Sequence, residues 1–351
     1  MQPVARALVA LGLTPKLILT GQHDALDPAE FGLEQYAVTR LGCRGEADPH
    51  SHVRKVTQAV LPLLADEPDL ILVQGDTSSA LGGALAGFAA GVAVAHVEAG
   101  LRTGDPSLPW PEEEYRTAID AKADLLFAPT DLAALNLACD RVPGEVHVTG
   151  NTGIDALLEV EGRLPATAHD RTAPRLLVTC HRRESWGAGL ASIAAALIAL
   201  AQDGNVKIRV VLHPNPAVAG AMREALSGAP GIGLEDPCSH SELVRKMRDS
   251  DLILSDSGGI QEEAPALGVP LLVLRDKTER PEGIATGNMR LVGTSRDRIV
   301  NEVRTLLKNP AELARMARRA FPYGDGHAAT RIAGHIDRWL GARATRERRI
   351  A

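Results

Sequence analysis

Short apolar runs rich in Val, Ile and Leu recur along this chain at intervals of roughly 25 residues, separated by longer Ala- and Leu-rich segments. The runs are LILT (17–20), DLILVQ (69–74), VAVAHV (92–97), DLLFAP (124–129), VHVTG (146–150), RLLVTC (175–180), KIRVVL (207–212), DLILSDS (251–257) and PLLVLR (270–275). Their apolar character is continuous rather than alternating, as in strands buried on both faces. Strand-then-segment repetition of this kind implies parallel sheets covered by helices on both sides. A polar stretch, EGRLPATAHDRTAP (161–174), breaks the rhythm once and marks a domain boundary. The expected fold class is α/β, with two Rossmann-like doubly wound domains facing each other across a cleft. The first spans 1–165, the second 166–325, and a closing helix with a basic tail occupies 326–351.

Composition narrows the function. At 351 residues, with 45% apolar and 23% charged residues, the chain has an ordinary globular balance and enough material for two cores. A net charge of -6 argues against nonspecific nucleic-acid binding, which needs a basic face. The arginines of GARATRERRIA (341–351) read as a solvated helix end. Cys43, Cys139, Cys180 and Cys238 form no CxxC or Cys/His pattern, so they read as reduced thiols rather than a disulfide framework or a zinc site. No apolar run approaches the roughly 20 residues of a membrane span, and no signal peptide is visible at Met1. A soluble, cytoplasmic protein is the expectation.

In doubly wound sheets, ligands bind beyond the carboxyl ends of the strands. Four such ends carry chemistry. After DLILVQ comes Gly75-Asp76-Thr77-Ser78, where Asp76 or Thr77 could simply cap a helix. After VAVAHV comes a crowd of acids, HVEAGLRTGDPSLPWPEEEYR (96–116). Pro111 there suits the first position of a helix, which puts Glu112, Glu113 and Glu114 in its first turn, where negative charge suits the dipole. That accounts for the triplet but not for Glu98 or Arg102, and Arg116 stands four residues after Glu112, within ion-pair reach. After RLLVTC come His181, Arg182, Arg183 and Glu184, an anion-site composition. After DLILSDS, Gly258 and Gly259 open a helix whose free N–H groups suit a phosphate, with Glu263 placed for a ribose diol and Arg280 of TERPEG (278–283) within reach. One domain thus offers acids and the other an anion-binding floor, a pairing suited to a nucleotide-diphosphate sugar.

The motifs GDT, HVEAGLRTG, PWPEE, HRRES, SDSGGIQEEAP, TERPEG and PYGDG occur in an order that resembles the non-hydrolysing UDP-N-acetylglucosamine 2-epimerases, from residue 1 to about 330. The resemblance implies a glycosyltransferase-B-like fold with the last helix returning to the first domain. It implies interconversion of UDP-GlcNAc and UDP-ManNAc for cell-surface polysaccharide, without NAD or any other cofactor and without a metal, in a homodimer. The route implied is elimination of UDP to 2-acetamidoglucal and readdition, which needs acid/base groups serving C2 on two faces. By motif position, Asp76, Glu98 and Glu112 correspond to the acid/base carboxylates and His181 to a diphosphate or sugar contact, with Arg102 and Arg116 on the substrate side. Ser257, Gly258, Gly259, Glu263 and Arg280 correspond to UDP contacts. Gln22, His23, Arg183 and His213 match positions that line a second, regulatory UDP-GlcNAc site in some relatives; ordinary polar residues would also edge a cleft there.

Three departures bear on this. Relatives begin with a strand and a Gly-Thr-Arg-Pro-Glu-x-x-Lys loop, whereas this chain starts at MQPVARAL, which aligns with the helix that follows. As written it lacks a central strand of its first sheet and two cationic ligands. Poor stability or inactivity is the expectation, and equal melting temperature and turnover in an upstream-extended version would contradict it. Leu243 stands where relatives often have an aromatic near the uracil, and Tyr115 where Asn is frequent. The competing readings are a hydrolysing 2-epimerase, a UDP-sugar glycosyltransferase of the same fold, an epimerase of a UDP-diacetamido uronic acid, and a non-catalytic UDP-sugar binder.

Overall fold

The computed structural model describes residues 1–350 apart from 23–27, 47, 106, 108, 166–172 and 181–186, with only the backbone at 30, 31 and 346–350. The chain divides into two compact units, Met1–Ala156 with Tyr323–Ala351, and Leu157–Pro322.

The first unit holds a parallel pair, β1 (Leu17–Leu19) and β2 (Val38–Arg40), and a parallel four-stranded sheet. The sheet runs in chain order: β3 (Ile71–Gln74), β4 (Val94–Val97), β5 (Leu125–Ala128) and β6 (Glu145–Val148). Every residue of β4 and β5 is buried, as apolar runs broken only by His96 require. On one face lies the helix Ser78–Ala90, started by Thr77, whose hydroxyl accepts from the Ala80 N–H, and stopped by Gly91 in the left-handed region. The helix Pro49–Val60 packs so closely on it that a Cβ at Gly82 would come within 2.7 Å of Val56. On the other face, Val4 and Leu8 of the first helix, Gln2–Ala10, and Ile332 and Ile336 of the last, Ala328–Ile350, cover Ala95, Val97, Leu125 and Phe127. Each such large side chain contributes about 1.5–3 kcal/mol by leaving water. The last helix is pinned where it begins: the Asp155 carboxylate accepts from the N–H groups of Ala328 (3.2 Å) and Ala329 (2.8 Å).

The second unit is a single parallel six-stranded sheet. Its strands are β7 (Arg175–Thr179), β8 (Lys207–Val211), β9 (Ile232–Glu235), β10 (Leu252–Ser255), β11 (Leu271–Val273) and β12 (Met289–Leu291). The spatial order is β12-β11-β10-β7-β8-β9, which is the doubly wound dinucleotide-binding order with its reversal between β7 and β10. On one face, Leu176, Val178, Leu190, Ile193, Leu197, Leu254, Ile299 and Val303 form a core between this sheet and the helices Ala188–Gln202 and Arg296–Leu307.

All nine apolar runs are strands, and the α/β class with two Rossmann-like domains holds. Three strands had no such run: β2, β9 and β12. Each is three or four residues long and pairs with one neighbour only. An edge strand is half-solvated, so its sequence (VTR, IGLE, MRL) has no need of an unbroken apolar stretch. Among the described residues, all four cysteines are free thiols, and no helix is long and apolar enough to cross a membrane.

Candidate active site

In the first unit, β3 and β4 end side by side, and each ends in a turn that aims a carboxylate. Past Gln74 the chain turns through Gly75 (φ +69°) to Asp76. Past Val97 it turns at Glu98 itself, a non-glycine residue at φ +71°, a conformation that costs of order 1–3 kcal/mol. What holds it there is Phe127 of β5, whose carbonyl accepts from the N–H groups of both Glu98 and Ala99 at 3.1 Å. A Cβ placed on Gly75 would lie 3.7 Å from Glu98 Oε2, so the Glu98 side chain lies over the turn that precedes Asp76.

The acidic triplet opens the helix Glu112–Asp120 directly after Pro111, and its members have different surroundings. Glu113 is buried and accepts from the backbone N–H groups of Thr103 (3.0 Å) and Gly104 (3.2 Å) and from Arg116 Nη1 (2.8 Å). It therefore fixes the loop that follows β4. Glu112 is half-buried with Oε2 shielded from solvent, and Glu114 is exposed. Arg116, 1% accessible, pairs with Glu113 three residues back and sends Nε to Asp76 Oδ2 at 3.1 Å, with Nη2 also in contact.

Beneath these groups lies a buried network that the sequence reading did not single out. His96 of β4 and Asp120 are both inaccessible and meet at 2.6 Å, and His96 Nε2 donates to the Gly75 carbonyl at 2.9 Å. Asp120 also accepts from the Gly100 N–H (3.1 Å) and from Arg102 Nη2 (2.7 Å). Burial alone would strip His96 of its proton, but the charge and hydrogen bond of Asp120 reverse that and hold its pKa above the ordinary value. Burial likewise opposes ionisation of Asp120, and His96 and Arg102 together outweigh it, holding the carboxyl below its ordinary value. The network ties the Gly75 turn to the loop after β4. A histidine inside VAVAHV, a run otherwise wholly apolar, was the available signal. Arg102, expected on the substrate side, places its guanidinium on Asp120, on Asp140 (3.0 and 2.8 Å) and on the Leu101 carbonyl (2.8 Å).

In the second unit, the residues expected to hold a nucleotide gather at the reversal point of the sheet. Thr179 of β7 and Ser255 of β10 share a buried hydroxyl contact of 2.7 Å, and Ser255 Oγ accepts from the Ser257 N–H at 3.0 Å. That shapes the turn into the helix Gly258–Leu267, for which Ser257 is the N-cap. Gly258 and Gly259 are the first two residues of that helix, whose leading N–H groups have no acceptor within it. A Cβ at Gly258 would lie 2.9 Å from Arg280 Nη1, so the buried guanidinium rests directly against that backbone. Arg280 is braced from behind by Glu262 (Nε to Oε1, 2.6 Å) and Glu279, and Arg275 Nη1 donates to Glu279 at 3.0 Å. Glu263 lies near the surface with Oε1 on His240 Nε2 at 2.7 Å. Ser257, Gly258, Gly259, Glu263 and Arg280 thus share one helix and the loop packed on its start.

His181, His23 and Arg183 lie outside the described residues. Gln22, in the first unit, accepts a hydrogen bond from Ser79 Oγ at 2.7 Å, and Ser79 Oγ also meets Thr20 Oγ1 at 2.7 Å. His213, in the second unit, accepts from the Asn215 N–H on Nδ1 at 2.8 Å, and burial lowers its pKa. Among the described residues no cluster of three or more His, Cys, Asp or Glu is arranged to hold a metal ion.

Two Rossmann-like domains, one ending its strands in carboxylates and the other in a glycine-opened helix, define the class of glycosyltransferase-B-like nucleotide-sugar proteins. The family model for UDP-N-acetylglucosamine 2-epimerase matches residues 8–337, and the chain belongs to that family. It is 43% identical over 293 residues to the UDP-N-acetylglucosamine 2-epimerase of Escherichia coli K12, which covers 79% of this chain and 78% of that protein. Among solved structures, it is similar to the UDP-GlcNAc 2-epimerase of Neisseria meningitidis bound to UDP-GlcNAc, with TM-score 0.90, 34% identity and 96% of each chain covered. The Methanocaldococcus jannaschii UDP-GlcNAc 2-epimerase in complex with UDP-GlcNAc and UDP is similar at TM-score 0.83 and 29% identity, with 96% and 95% covered.

Proposed function

We propose that this chain interconverts UDP-GlcNAc and UDP-ManNAc without hydrolysis, as a cytoplasmic homodimer that supplies ManNAc units for cell-surface polysaccharide. The observation that carries the reading is the placement of Asp76 and Glu98 on adjoining turns past neighbouring strands, with Arg116 on Asp76, in a chain of this family.

The C2 proton of the sugar has no adjacent carbonyl to acidify it, so direct deprotonation and reprotonation is a poor route. In the first step a carboxylate takes the C2 proton while the C1–O bond to UDP breaks in the anti sense, leaving a C1=C2 double bond in 2-acetamidoglucal. In the second, a UDP phosphate oxygen returns to C1 and a proton is delivered to the opposite face of C2 in the syn sense. No water is consumed, so no free sugar leaves. Asp76, Glu98 and Glu112 are the groups for the two proton transfers. Arg116 orients Asp76, and Arg102 braces the loop that carries these acids. Departure of the diphosphate needs fixed positive potential, for which the Gly258 and Gly259 N–H groups, Ser257 and Arg280 are suited, with Glu263 on the ribose. His181 completes the set as a diphosphate or sugar contact.

Proton NMR of UDP-GlcNAc incubated with the protein in D2O tests the reading. Deuterium at C2 together with UDP-ManNAc is the expected result. Free ManNAc with UDP would replace it by a hydrolysing epimerase. UDP-GlcNAc binding without C2 exchange would sink the enzymatic reading altogether.

A further inference from the structure

The Glu263 carboxylate is not held by its own helix. Among the described residues its partner is His240, the first residue of the helix His240–Arg248, whose Nε2 lies 2.7 Å from Glu263 Oε1. The two residues are 23 apart in the chain and come from different helices of the same unit. The Glu263 side chain is 12% accessible and that of His240 37%, so the pair sits at the surface with the carboxylate as the better shielded member.

A glutamate side chain has three rotatable bonds, whose freedom is lost when it binds a ligand; holding it to one rotamer beforehand lowers that ordering cost. His240 does this by occupying one oxygen and leaving the lone pairs of the other available. The helix that begins with His240 is held at its start by Ser239, whose Oγ accepts from the Glu242 N–H at 3.3 Å. Lys246 is bonded to Glu235 and sits 3.1 Å from Glu242, which occupies the nearby carboxylates. The hydrogen bond to Glu263 comes first among the effects on His240 and raises its pKa, consistent with a donor directed at a carboxylate.

We propose that His240 is a positioning residue for nucleotide recognition: it clamps Oε1 of Glu263 so that Oε2 is presented to the ribose diol. The inference rests on the reading of Glu263 as the ribose contact.

The test is calorimetric titration of the full chain, wild type and His240→Ala, with UDP and with 2′,3′-dideoxyuridine diphosphate, which lacks both ribose hydroxyls. The wild type is expected to prefer UDP, and His240→Ala to lose roughly three- to tenfold of that preference, as for a lost charge-assisted hydrogen bond. The ratio of the two affinities does not depend on the fraction of protein folded, so a less stable variant still reports. His240→Gln, which keeps a donor, should recover part of the preference, and His240→Ala should have no further effect when added to Glu263→Gln. An unchanged ratio in His240→Ala overturns the proposal while leaving nucleotide binding intact. A wild type that binds UDP and the dideoxy analogue equally also overturns it. Failure of the wild type to bind UDP at all would remove the nucleotide reading itself, and this inference with it.

Discussion

Arg116 Nε donates to Asp76 Oδ2 at 3.1 Å across 40 residues of sequence, from a side chain that is 1% accessible. The same guanidinium holds Glu113, which in turn holds the backbone of Thr103 and Gly104. One cation therefore sets the position of a proposed acid/base group and the path of the loop beside it.

Replacing Arg116 separates its two roles. Lysine keeps the charge but not the planar fork, so Arg116→Lys should fold and lose at least about tenfold in turnover. Arg116→Gln leaves two carboxylates without their cation and should cost about 3–5 kcal/mol of stability. Chemical denaturation and C2-exchange rates measured on both variants check this; a fully active lysine variant would remove Arg116 from the positioning of Asp76.

The three carboxylates are separable from nucleotide binding. Asp76→Asn, Glu98→Gln and Glu112→Gln should each slow deuterium incorporation at C2 by roughly a hundredfold or more, as expected for loss of general acid/base catalysis. UDP affinity should change by no more than about twofold, because hydrogen-bonding shape is kept. A variant that loses UDP binding in proportion to its rate is a binding residue rather than an acid or base.

Gly258 allows no side chain. A Cβ there meets Arg280 at 2.9 Å, and Arg280 cannot swing away without leaving Glu262 and Glu279. Gly258→Ala is expected to weaken UDP binding by about tenfold, the loss of roughly one charge-assisted contact, and to lower the melting temperature as Arg280 is displaced from its buried carboxylates. Unaltered affinity would show that the Arg280 and Gly258 surface is not where the diphosphate rests.

The His96–Asp120 pair makes stability depend on pH in two windows. The pKa of His96 is raised from 6.5 in the fold, so its contribution is complete below that value and is lost as pH climbs through the folded value. That of Asp120 is lowered from 3.8, so its contribution is present above that value and is lost as pH falls through the folded one. His96→Gln should cost about 3–5 kcal/mol near neutrality and remove the decline of melting temperature on the alkaline side. If the wild type and variant melt with the same pH profile, the pair is not ionised in the fold.

Tyr115 is buried, and its hydroxyl has no hydrogen-bond partner among the described residues. Its pKa is pushed up to about 12, by burial first and then by Glu114, Asp48 and Glu112. A buried, unsatisfied hydroxyl is a liability, so Tyr115→Phe should be neutral or stabilising by about 1 kcal/mol, with C2 exchange unchanged. A destabilised or slowed phenylalanine variant would assign the hydroxyl a task that the described residues do not reveal.

What the amino-acid order determined by itself was the class of fold and the addresses of the candidate site. Continuous apolar runs such as DLLFAP can be satisfied only by strands covered on both faces, and the residues just past such runs are where a parallel sheet presents its ligand groups. That logic reached Asp76, Glu98, Gly258 and Glu263 directly. It did not reach β2, β9 and β12, because edge strands are half-solvated and their short sequences resemble loops. Nor did it reach the partners. Spacing left Glu112, Glu113 and Glu114 equivalent as acids in a first helical turn, and only the approach of Thr103 and Gly104 makes Glu113 the one that holds a loop. Arg102 stood among the site candidates until Asp120 and Asp140 arrived on either side of its guanidinium. His96 with Asp120, Arg116 with Asp76 and His240 with Glu263 join residues 23 to 40 apart in the chain. Period and propensity act over one or two turns of chain, whereas a hydrogen bond between distant side chains exists only once packing has brought their elements together.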